Sequence, residues 1–140
     1  MSEAWIIDAA RTPRGVGKQG KGALWEVHPQ KLLSSVLKPL AERNHINTDE
    51  IDDVIVSCST QFQKQGSCIG RMGALDAGFS TKASGMTLDR FCGGGITSVN
   101  LAAANIMSGM EDLVVAGGVE MMSYTRGEAP PSSLDAGNEE

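Results

Sequence analysis

Aromatic side chains are scarce here: one Tyr, two Trp and three Phe in 140 residues. A core so composed must rest on aliphatics, Ala and Met. No run of eighteen apolar residues occurs, so no segment reads as a transmembrane helix. The N-terminus MSEAWIIDAARTP lacks a basic lead followed by a long apolar run, so no secretory signal is read there, and the cytoplasm is the expected location. Basic residues are in deficit, 12 Lys+Arg against 17 Asp+Glu, and a formal charge of −5 argues against a nucleic-acid partner. Three cysteines without an export signal do not make a disulfide framework. There are two histidines, and no Cys or His pair has metal-ligand spacing, so no metal site is expected. With 41% apolar residues the chain is not short of material for a core. Its length suits one domain, or part of a larger one.

Glycine is in excess: 17 of 140, about 12% against roughly 7% in average proteins. It concentrates at 15–22, 66–78, 93–95 and 117–118. Between these clusters, apolar runs alternate with helical periodicity. Residues 4–9 read as a short buried strand. Leu32, Leu33, Val36, Leu37 and Leu40 share one face of a helix over 29–43, which Pro39 should bend or end early. Residues 53–58 read as a second strand, apolar throughout as buried parallel strands are. A small-residue helix follows over 66–78, a third strand over 84–90, and the strongest helix over 93–108. Ile96, Val99, Ala102, Ala103, Ile106 and Met107 are expected to face inward on it. A fourth strand, 113–119, closes in a glycine turn. The order βαβαβαβ predicts an α/β fold, a mostly parallel sheet with helices on both faces. After Ser123 no apolar period survives, and 124–140 reads as a linker, loop or tail.

The informative stretch is Asp89-Arg90-Phe91-Cys92-Gly93-Gly94-Gly95-Ile96. Cys92 lies where a strand gives way to the best helix. A sulfur there is near the free N–H groups and the positive end of the helix dipole, which favour thiolate. The glycines clear side chains from the approach of an electrophile, and the Cys92 N–H is placed to donate to an oxyanion. A buried structural cysteine fits the same local sequence. A phosphate-cradling loop fits less well, because the Gly-Lys-Ser/Thr ending is missing.

Other candidates carry less. From Arg11 to Lys21 there are four cations and no anion, either a solvated loop or a docking surface for an anionic ligand or partner. His28 and His45 flank a helix and read as capping or solvated. Cys58 ends a strand and Cys68 opens a helix, and both read as small buried residues. Glu50, Asp52 and Asp53 read as a solvated turn. Gln61, Gln63 and Gln65 form a polar loop. Met121 and Met122 read as core filler or as the lining of a lipid-facing groove.

Taken together, Ala10-Arg11-Thr12-Pro13-Arg14-Gly15, Glu50-Ile51-Asp52-Asp53-Val54-Ile55, Asp89-Arg90-Phe91-Cys92-Gly93-Gly94-Gly95 and Val115-Ala116-Gly117-Gly118-Val119-Glu120-Met121-Met122-Ser123 resemble the N-terminal half of a thiolase. The resemblance runs in order over 4–125, and is greatest to the acetyl-CoA acetyltransferase and acyltransferase group. It implies a half-domain over 1–123, with 124–140 as a tail or the start of a loop domain. It further implies one half of a duplicated unit within a five-layer αβαβα fold. Cys92 matches the cysteine that takes the acyl group as a thioester, with 3-ketoacyl-CoA formed or cleaved. Coenzyme A thioesters are then substrates, and no cofactor is implied. The chain departs from the family at Gly93 and Gly94, where Ser or Ala is common, and at Asp89, where Asn is common. The family's activating histidine and second cysteine belong to the C-terminal half, and neither His28 nor His45 matches that base. A homo-oligomer or a complementing C-terminal half is the implied partner, and Gln61, Gln63 and Gln65 would lie near a subunit interface. Two alternatives stand beside the thiolase reading: a non-catalytic half that needs a separate complement, and another condensing enzyme of the same fold.

Overall fold

A computed structural model describes residues 3–125. Helix α1 spans Pro29–Arg43. The Nδ1 of His28 accepts from the Gln30 N–H at 3.2 Å, and Pro29 fills a first-turn position where no N–H is needed. The helix continues through Pro39 to Arg43, so the early end expected there does not occur. Pro39 and Ser35 are both exposed, where a carbonyl that lacks its helical donor can be satisfied by water.

Strand β1 (Asp53–Ser57), helix α2 (Ile69–Asp76), strand β2 (Met86–Leu88), helix α3 (Gly94–Ser108), strand β3 (Val114–Gly118) and a single turn, α4 (Met122–Thr125), complete the chain. The sheet order is β2-β1-β3, and both pairings are parallel. Val54 stands opposite Val115 and Ile55 opposite Ala116. Period-2 alternation then sorts β1 onto two faces. Val54 and Val56 join Leu33, Leu37, Ile69 and Ala74 in one buried cluster under α1 and α2. Ile55 and Ser57 face the other way, toward α3. The α/β class with helices on both faces is thus as the sequence predicts.

Three further expectations are corrected. Residues 4–9 do not form a strand in the sheet, and they are not buried: Trp5 is 79% exposed and Ile6 82%. They run outside the ladder, tied only at one end. Asp8 accepts from Arg43 Nε at 2.6 Å and from Asn44 Nδ2 at 2.6 Å. An apolar run has strand character only where a neighbouring edge pairs with it, and none does so here.

The second correction concerns α3, whose expected inward face holds at Ala102 but not at Ile96, Val99 and Met107. Its buried face is Gly94, Ser98 and Ala102, spaced four residues apart. Ile96, Val99 and Met107 lie on the opposite side, 72%, 43% and 51% exposed. Small residues let the helix backbone sit close on β1 and β3, so the large side chains are left outside. Ser98 Oγ lies 2.9 Å from the Gly117 carbonyl and 2.8 Å from that of Gly95, locking the helix to β3.

Third, Asp53 is buried rather than solvated. Its Oδ1 accepts from Ser84 Oγ and from the Val54 N–H, both at 2.8 Å. Asp52 is exposed but employed, accepting from the N–H groups of Asp112 (2.7 Å) and Leu113 (3.0 Å) at the entry to β3, and these bonds lower its pKa. The boundary expected after Ser123 falls inside the turn of α4. The rest of the expected tail, 126–140, lies outside the described residues.

Candidate active site

The C-terminal ends of the three parallel strands open into one cleft of about 490 Å³. Ser57 and Cys58 follow from β1, Phe91 and Cys92 from β2, and Gly118, Val119 and Glu120 from β3. Ligand crevices in parallel α/β sheets form at this end of the strands, where successive loops diverge.

Cys92 lies in a 3₁₀ turn, Phe91–Gly93, that leads directly into α3. The turn is built by Asp89, whose Oδ1 accepts from the Phe91 N–H at 2.8 Å, and by a Gly93 N–H to Arg90 carbonyl bond of 3.0 Å. Phe91 has φ 44°, a left-handed conformation that costs a bulky residue on the order of 1–3 kcal/mol. The strain sits immediately before Cys92, whose side chain is exposed. The three glycines after Cys92 have separate duties. A Cβ on Gly94 would overlap Ser57 Oγ, so this residue lets α3 seat on β1. A Cβ on Gly95 would meet nothing within 4 Å, and Gly95 lines the cleft. The expected approach for an electrophile therefore lies over Gly95. Gly93 is near only the stem of Arg90.

The far wall is a polar knot that sequence reasoning missed. Glu120 Oε2 accepts from the N–H groups of Ser59 (2.8 Å) and Thr60 (3.3 Å), and from Cys58 Sγ (3.7 Å). Glu120 Oε1 accepts from Gln65 Nε2 at 3.1 Å. The same Nε2 lies 3.0 Å from the Thr60 carbonyl, and Gln65 Oε1 accepts from the Met121 N–H at 2.6 Å. Gln65 is fully buried, unlike the polar loop residue expected, while Gln61 and Gln63 are exposed. One amide and one carboxylate thus join the loop after β1 to the loop after β3. The only sequence signal was a glutamine and a glutamate in loops that follow neighbouring strands.

The remaining candidates separate. Burial, and then the nearby Glu120 carboxylate, push the Cys58 thiol up to about 12. Cys68 is exposed rather than buried, in a left-handed conformation at the start of α2, with Thr87 Oγ1 3.6 Å from its sulfur. Met121 is core and Met122 lines the cleft. Arg11 and Arg14 line a neighbouring cleft of about 610 Å³ between the 10–17 loop, α1 and the 118–123 segment. His28 caps α1 and His45 follows it at φ 54°, and neither lines the cleft with Cys92. Among the described residues no group of three or more His, Cys, Asp or Glu is arranged to hold a metal ion. Likewise no helix there is long and apolar enough to cross a membrane.

Comparison with known proteins agrees with this arrangement. Residues 4–138 match the family model described as thiolase, N-terminal domain. A steroid 3-ketoacyl-CoA thiolase of Mycobacterium tuberculosis is 42% identical over 123 residues, which is 88% of this chain and 30% of that protein. A 3-oxoadipyl-CoA/3-oxo-5,6-dehydrosuberyl-CoA thiolase of Escherichia coli is 41% identical over 124 residues, again 88% of this chain and 30% of that one. The crystal structure of the Bacillus anthracis acetyl-CoA acetyltransferase superposes with a TM-score of 0.71 at 35% identity, covering 83% of this chain and 28% of that one. The chain therefore spans about a third of the length of the relatives it matches.

Proposed function

The chain belongs to the thiolase family, and on that premise we propose that Cys92 is the nucleophile of an acyl-CoA acyltransferase. The observation that carries the reading is the placement of Cys92: exposed, on a strained turn, at the start of α3, in a cleft with open space over Gly95.

The chemistry follows from that placement. The Cys92 sulfur attacks the carbonyl of an acyl-CoA thioester, and the negative charge that develops on oxygen is met by the Cys92 N–H and the α3 N-terminus. The carbonyl re-forms, the bond to the CoA sulfur breaks, and CoA leaves with the proton. In the synthetic direction a second acyl-CoA loses an α-proton to a base, its α-carbon attacks the Cys92 thioester, the bond to the Cys92 sulfur breaks, and that sulfur takes up a proton. In the degradative direction the same steps run in reverse, and 3-ketoacyl-CoA is cleaved with a CoA thiol as acceptor. The substrates are CoA thioesters, no separate cofactor takes part, and the location is the cytoplasm.

A complement is part of the proposal. No histidine lines the cleft among the described residues, so the base for Cys92 comes from elsewhere. The exposed outer face of α3 at Ile96 and Val99 supports a further layer of structure there, as a five-layer fold requires. A half-domain over 1–123 that works with a C-terminal half, as one polypeptide or as two, meets both conditions.

The test is acyl-enzyme trapping. The chain is incubated with acetoacetyl-CoA, quenched in acid and mapped by mass spectrometry. An acetyl adduct on the peptide holding Cys92, absent in Cys92→Ala, is the expected result. An adduct on Cys58 or Cys68 instead would remove Cys92 from the role.

A further inference from the structure

Two cysteines, not one, line the candidate acyl cleft. Cys92 is exposed on one wall and Cys58 is 1% exposed in the other. A cleft built for acyl transfer to one sulfur has to keep the second silent. The knot around Glu120 is placed to do so.

We propose that Glu120 is a positioning residue that makes Cys92 the sole reactive thiol of the cleft, by holding Cys58 as a neutral S–H donor to its carboxylate and by fixing the 58–60 loop against the loop after β3. The proposal rests on the reading of Cys92 as the acylated sulfur. Its geometry is independent of that reading. Four donors converge on the Glu120 carboxylate: Cys58 Sγ, the Ser59 and Thr60 N–H groups, and Gln65 Nε2. Gln65 has no freedom to release it, being fully buried and also bonded to the Thr60 carbonyl and the Met121 N–H.

The electrostatics act in the same direction. A thiolate at Cys58 would be buried beside a carboxylate, and both conditions disfavour the anion, outweighing the Thr60 N–H that favours it. Among the described residues the charged groups bearing on Cys58 are Glu120 and, more weakly, Asp89, and both are negative. Since only the thiolate attacks a thioester, a thiol held neutral is excluded from the chemistry even though it borders the cleft. Cys92 lines the same cleft and, among the described residues, makes no such bond to a carboxylate.

Thiol-resolved alkylation of the full chain tests this. Iodoacetamide labelling from about pH 7 to about pH 10, followed by peptide mapping, reads Cys58, Cys92 and Cys68 separately. In the wild type, Cys58 is expected to react at least about tenfold more slowly than Cys92 at pH 9. In Glu120→Gln, which keeps the size of the side chain and removes its charge, the Cys58 rate is expected to rise about tenfold. Its pH profile should also move down by about one unit. Cys68 lies outside the cleft and should keep its rate, so a parallel rise at Cys68 would reveal a general loosening and overturn the proposal. An unchanged Cys58 rate in Glu120→Gln overturns it too. Should that variant not fold, the wild-type profile decides, and a gap between Cys58 and Cys92 of less than tenfold overturns the assignment. Silence at Cys92 in the wild type defeats the nucleophile reading instead, while the Cys58 profile still judges Glu120 by itself.

Discussion

Gly94 rests directly on Ser57: a Cβ on the glycine would overlap the serine hydroxyl, so the first turn of α3 and the last residue of β1 are in backbone-level contact. This contact sets the height of the turn that carries Cys92 above the sheet. The cleft is therefore shaped by a missing side chain two residues beyond its candidate nucleophile.

Gly94→Ala should destabilise the chain by about 1–3 kcal/mol, the usual cost of forcing an atom into a filled contact. Gly95→Ala, in the next position but with nothing within 4 Å of its Cβ, should be neutral or stabilising by about 0.5–1 kcal/mol through helix propensity. Urea unfolding of the two variants measures the contrast. Equal effects would show that the contact with Ser57 does not govern how α3 sits.

Steady turnover should be absent from this chain by itself. Loss of a positioned base typically costs on the order of 10²–10⁴-fold, and no histidine lines the cleft. Thiolysis of acetoacetyl-CoA at saturating CoA is the assay, with Cys92→Ala as control. A single stoichiometric acylation is the expected ceiling. Sustained turnover that vanishes in Cys92→Ala would mean that a base already lies within the chain.

The outer face of α3 should drive self-association. Ile96, Val99 and Met107 occupy one side of the helix and are exposed, so replacing them does not open the core. The combination Ile96→Gln, Val99→Thr and Met107→Gln should shift the chain toward monomer in light scattering at constant concentration. Its melting temperature should change little. A wild type that is already monomeric and melts cooperatively would remove the case for a further layer on this face.

Acid should release the N-terminal segment before it unfolds the sheet. The hydrogen bond from Arg43 to Asp8, joined by those from Asn44 and the Ala9 N–H, lowers the Asp8 carboxyl to about 2 from its ordinary 3.8. A carboxylate with a lowered folded pKa contributes fully above the unfolded value, and its contribution is lost as pH falls from about 3.8 through about 2. Trp5 fluorescence should therefore change across that window, and Arg43→Ala should produce the same change at neutral pH. A signal from Trp5 that is flat to pH 2 would show that Asp8 does not tether the segment. Trp25 confounds the signal and is replaced by Phe in both samples.

Much of this molecule was legible in the sequence because it depends on local chemistry. The β1, β2 and β3 runs, the helices between them and the parallel alternation follow from apolar patterning and glycine placement. The place of Cys92 at the entry to α3 follows from the Phe91-Cys92-Gly93-Gly94-Gly95 string. Pairing, facing and long-range bonding were not legible. Residues 4–9 have the composition of a strand, but strand status is conferred by a neighbour, and Trp5, Ile6 and Ile7 have none. Helix α3 is apolar nearly all round, so its periodicity could not say which side is buried. Close contact with the sheet selected Gly94, Ser98 and Ala102 and left Ile96 outside. The bond between Gln65 and Glu120 joins residues 55 apart, and no local pattern encodes it. It exists because β1 and β3 are adjacent parallel strands, whose C-terminal loops emerge side by side and bring a buried amide to a carboxylate.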